Sequence, residues 1–84
     1  MNTIETAIKA AAEKFNECGI FETFVDSKEL REYWGLEKSE TAIMQRVFVV
    51  VAYGEVTNIS FERSRAISNL LNEYDVTSLQ ELPA

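Results

Sequence analysis

The chain has 84 residues, with 14 acids against 8 bases and a net charge of −6. That length predicts one compact domain over residues 1–84, and a hydrophobic content of 46% excludes a disordered chain. With no histidine and a lone Cys18, a His-based triad, a usual zinc site and an internal disulfide are all excluded.

Asn2 as N-cap, with Glu5 three residues on, opens a predicted helix from Thr3 to Glu17. Ile4, Ile8, Ala11 and Phe15 recur along it at helical spacing, and Gly19 suits its exit. The start, MNTIETAIKAAAEKF, carries acids early and lacks the basic-then-apolar order of a signal peptide. No apolar run reaches the ~20 residues of a membrane span. No membrane association is therefore expected, and the predicted setting is cytoplasmic, in a bacterium or a host cell. Ile20, Phe21, Phe24 and Val25 follow as a short aromatic-rich link, open to reading as a strand or an extra helical turn.

Asp26 begins a second predicted helix, with Glu29 at the capping-box position and Val25 placed to staple onto Leu30. It runs to about Trp34, where Gly35 ends it. Ser39 then caps a third helix that opens with Glu40 and Thr41.

VFVVVAYGEVTNISF, residues 47–61, supports two readings. No breaker separates it from ETAIMQR, so the third helix can run on to Tyr53 as a buried helix. Its β-branched and aromatic residues also suit a strand, with a tight hairpin turn at Gly54-Glu55. Periodicity does not separate the two, and the long helix is the favoured reading. The last helix has Ile67, Leu70, Leu71 and Tyr74 on one face, Ser60 as its cap and Glu62 at its positive end. A short helical turn is expected at Ser78–Leu82.

These elements predict a mainly α fold, a small four- to five-helix domain containing a helix-turn-helix-like pair. The alternative is an α+β winged variant with a hairpin at 47–61. The predicted core is Ile8, Phe15, Leu30, Trp34, Leu36, Met44, Ile67 and Leu70. Residues 47–53 are apolar on every side, and short helices offer little to cover them. A homo-oligomer is therefore expected, with Phe48, Val51 and Tyr53 at the self-association contact.

Ser27–Arg46 resembles the helix-turn-helix superfamily of DNA-binding regulators. Leu30, Trp34, Leu36 and Met44 fill its apolar places and Gly35 stands at the turn, while Arg31 and Thr41 depart from the pattern. The resemblance implies a third helix in the major groove, with Ser39, Thr41 and Gln45 reaching base edges and Lys38 and Arg46 holding phosphates. Glu37 and Glu40 lie at that helix start, however, where they repel a phosphate backbone.

Acidity of this degree serves solubility and also suits a basic protein partner. No catalytic, metal or cofactor site is predicted, and the chain is expected not to be an enzyme. The favoured reading is a small protein-binding regulator or inhibitor that presents an acidic helical surface to a basic partner. Glu29, Glu32, Glu37 and Glu40 are its predicted binding residues, as two carboxylate pairs each spaced to share a helix face. In size, charge and lack of chemistry the chain is similar to small acidic inhibitors of phages and mobile elements, anti-CRISPR proteins among them. A helix-turn-helix transcriptional regulator is the alternative, with nucleic acid the less favoured partner.

Overall fold

Val47, Phe48, Val49, Val50, Val51 and Ala52 are all buried, a run that needs apolar cover on both sides of the backbone. The run lies in β2 (Met44–Ala52), the middle strand of a three-stranded antiparallel sheet in the computed structural model, which describes residues 3–26 and 44–83. β1 (Gly19–Asp26) pairs with one edge of β2, and β3 (Glu55–Ser60) pairs with its other edge. Helix α1 (Ile4–Lys14) precedes the sheet and α2 (Arg63–Glu73) follows it.

The alternation of a strand explains the burial. Val47, Val49 and Val51 point to one face and pack with Ile4, Ala7 and Ala11 of α1 and with Val25 of β1. Phe48, Val50 and Ala52 point to the other and pack with Ala66 and Leu70 of α2. A helix on each face makes both valine rows core, so the strand reads as a continuous hydrophobic run.

The four- to five-helix expectation is overturned: the described residues form an α+β fold of two helices and a three-stranded antiparallel sheet. The third helix does not run on to Tyr53, because Met44–Ala52 is strand. Four valines in five positions lose side-chain freedom in a helix and pack well on a pleated surface. The hairpin of the alternative reading is present, as β2 and β3, within the larger sheet. Its turn is Tyr53-Gly54, one residue earlier than expected. Both residues have positive φ, 54° and 77°, as a two-residue type I′ turn requires.

β3 keeps its contacts through a bulge. Val50 pairs with Asn58 and Val51 with Val56, so Thr57 is the extra residue. Val56 and Ile59, three apart, thereby both reach the α1 side. Asn58 turns the other way, where its Oδ1 accepts a 3.0 Å hydrogen bond from Nδ2 of Asn69 on α2.

The link at Ile20–Val25 is strand β1. The first helix is shorter than expected at both ends. Thr3 rather than Asn2 caps it, accepting from the Thr6 N–H at 3.1 Å, and Phe15 ends it. α2 matches its predicted place, but Ser60 does not cap it. The Ser60 hydroxyl instead accepts from the Glu62 N–H and donates to the Glu62 carbonyl. A 3₁₀ turn at Leu79–Glu81 occupies the predicted Ser78–Leu82 position.

Of the predicted core, Leu70 is buried, and Ile8, Phe15 and Ile67 are partly so. Met44 is 43% exposed and is a correction, since it is the first residue of β2, paired with Asp26 at the end of the ladder. Leu30, Trp34 and Leu36 lie outside the described residues. No helix of the described residues is long and apolar enough to cross a membrane.

Candidate functional site

Antiparallel pairing sets Phe24 opposite Arg46 and Glu22 opposite Phe48, so Glu22, Phe24 and Arg46 share the α2 side of the sheet. Arg46 Nε stands 3.4 Å from Glu22 Oε2, and its guanidinium lies 5.4 Å from the centre of the Phe24 ring. Gln45 turns its amide onto the Arg46 carbonyl, donating at 3.1 Å. Gln45 and Arg46, expected on a DNA-reading helix, are therefore strand residues, and Arg46 is already paired with a carboxylate. Lys38, Ser39 and Thr41 lie outside the described residues, as do Glu29, Glu32, Glu37 and Glu40.

The self-association residues separate. Phe48 is 5% exposed beneath α2 and Val51 is wholly buried beneath α1, so neither presents a surface to a second copy. The premise behind them was that residues 47–53 lack cover. A helix on each face supplies it. Tyr53 stays 59% exposed at the hairpin tip.

A concave site forms elsewhere. The start of β1, α2 and the C-terminal turn enclose a groove of about 450 Å³. Ile20, Ile67 and Leu70 line it from the sheet and α2, Leu79 and Leu82 from the turn, and Arg63 from the first turn of α2. The turn is held in place at several points. Glu81 Oε2 accepts from the backbone N–H groups of Thr77 and Ser78 at 2.9 and 3.0 Å. These bonds hold the Glu81 carboxyl below its ordinary pKa, with the Thr77 backbone bond the largest cause. Beyond the turn, Cys18 Sγ donates to the Pro83 carbonyl at 3.2 Å. Burial pushes the Cys18 thiol up and the Glu17 charge adds to this, while the Tyr74 hydroxyl works the other way.

Ile67 and Leu70 are visible in the sequence as an apolar helix face. Their meeting with Ile20 and Leu79 is not, because it depends on β1 being a strand and on the chain doubling back after α2. The three-residue spacing of Leu79 and Leu82 within an expected helical turn is the local signal that both share one side.

Among the described residues no group of three His, Cys, Asp or Glu side chains is arranged to hold a metal ion. Comparison with known proteins returns no match: no family model, no curated protein and no solved structure resembles the chain.

Proposed function

We propose that this protein is a small non-enzymatic regulator or inhibitor that binds another protein, offering an acidic surface to a basic partner. The supporting observation is how the carboxylates are spent. Glu5, Glu13, Glu55, Glu62, Glu73 and Asp75 are all exposed, and none forms an ion pair among the described residues. The ion pair that is present there joins Glu22 to Arg46, which removes a cation from any phosphate-binding role. Unpaired surface carboxylates raise the rate of encounter with a basic face and oppose nucleic acid. Glu29, Glu32, Glu37 and Glu40 add to the same field in the proposal.

Capture of partners from a cell extract, with nucleic acid digested in a parallel sample, tests this reading. A protein retained after digestion is expected, with an association rate that falls as salt rises. Reversal of Glu29, Glu32, Glu37 and Glu40 to lysine should slow that association. Specific, salt-sensitive DNA binding by the unaltered protein would overturn the proposal.

A further inference from the structure

The groove beside α2 combines an apolar wall, a formed shape and, among the described residues, one cation. Its volume of about 450 Å³ falls in the range of small-molecule pockets, ~300–1,000 Å³. Leu79 is half exposed there, leaving apolar surface in water beside Leu82 and Ile67. Covering such surface with an apolar chain is favourable in proportion to the area removed from water. The wall does not have to be ordered on binding. The Glu81 bonds fix the C-terminal turn, and Cys18 ties the chain beyond it to the start of β1.

Arg63 is the charged side chain of the lining, is exposed, and has no ion-pair partner among the described residues. A guanidinium presents parallel N–H donors that match the two oxygens of a carboxylate. We propose that the groove binds a small amphipathic carboxylate, its hydrocarbon chain against Ile67, Leu79 and Leu82 and its head on Arg63. The proposal does not depend on the acidic-surface reading. The net charge of −6 opposes an anion in general, so the head group depends on Arg63, the cation of the lining among the described residues.

The test uses decanoate below its micelle concentration, with decanol as the uncharged match, followed by calorimetry and by NMR of the intact protein. Decanoate should bind saturably, shift the Ile67, Leu79 and Leu82 methyl signals, and slow alkylation of Cys18. Arg63→Ala, an exposed change that leaves the core intact, should weaken decanoate by about tenfold or more and leave decanol unaltered. Ile67→Trp, which fills the groove from the helix side, should abolish both. Absence of saturable binding, shifts confined to other surfaces, or unchanged decanoate affinity in Arg63→Ala would each overturn the proposal.

Discussion

The rings of Tyr53 and Tyr74 lie 4.3 Å apart between centroids, and the Tyr53 backbone N–H donates to the Tyr74 hydroxyl at 2.7 Å. That hydroxyl in turn donates to the Glu17 carbonyl at 3.3 Å, and the Gly54 N–H reaches the same carbonyl at 2.9 Å. Tyr53 sends its own hydroxyl to the Glu73 carbonyl at 2.8 Å. The hairpin tip, the end of α2 and the approach to β1 are thus joined through one pair of tyrosines. This explains how a tyrosine is held at φ 54°, where residues other than glycine carry a steric penalty.

Tyr74→Phe keeps the ring and removes the hydroxyl that serves both partners. It should destabilise the protein by about 1–2 kcal/mol, since two bonds are lost and the Tyr53 N–H loses its acceptor. A urea midpoint indistinguishable from the parent protein would contradict this.

Gly54→Ala should be damaging for a different reason. At φ 77° an added Cβ stands in the left-handed region and only 3.1 Å from the Asn16 carbonyl oxygen. The expected loss is about 1–2 kcal/mol, with no change in the slope of the denaturation curve. Thermal and urea unfolding both measure it.

The sequence carries the last helix, the closing turn and the choice of Gly54 as punctuation, because each rests on local chemistry. It does not carry the state of residues 44–52. Val47 to Val51 is apolar at every position, which removes the period that separates strand from helix. What decides is remote: α1 lies on one face and α2 on the other, which no local window contains. The groove was illegible for the same reason, since Ile20 and Leu79 meet only once the sheet has formed. Gln45 and Arg46 show the opposite error. A local template assigned them to a reading helix, while pairing of Val25 with Gln45 and Phe24 with Arg46 makes them strand.

Val49→Ala and Val50→Ala should cost nearly the same, about 2 kcal/mol each, although the two side chains enter different cores. Both are fully buried, one under α1 and the other under α2. A strand with one solvated face would make one substitution harmful and its neighbour mild. A difference above ~1.5 kcal/mol between the two midpoints would contradict cover on both faces.

Deleting Thr57 removes the extra residue of the bulge. Val56, Asn58 and Ile59 then follow one another against Val51, Val50 and Val49, so Val56 keeps the α1 side and only the extra residue is lost. The deletion should therefore be tolerated nearly as well as Thr57→Ala, which alters only an exposed side chain, with stabilities within about 1 kcal/mol of each other. A much lower urea midpoint for the deletion alone would show that the hairpin needs the bulge itself and not only the facing of Val56.

Glu81 makes the C-terminal turn sensitive to acid. Its folded pKa lies below the ordinary 4.5, so the charged form is favoured by the fold. The turn is therefore fully stabilised above the unfolded value and loses that contribution as pH falls through the folded one. Two amides report this directly, the N–H groups of Thr77 and Ser78 that donate to the carboxylate. Their proton shifts should titrate together with a midpoint below 4.5, and their exchange protection should fall over the same interval. In Glu81→Gln the titration should vanish while Leu70 and Val50 amides keep their protection, because both are buried between β2 and α2 and the turn adds only the partly buried Leu82 to that cluster. A Thr77 and Ser78 midpoint at or above 4.5 would remove the carboxylate from its place at the head of the turn, and with it the fixed wall that Leu79 gives the groove.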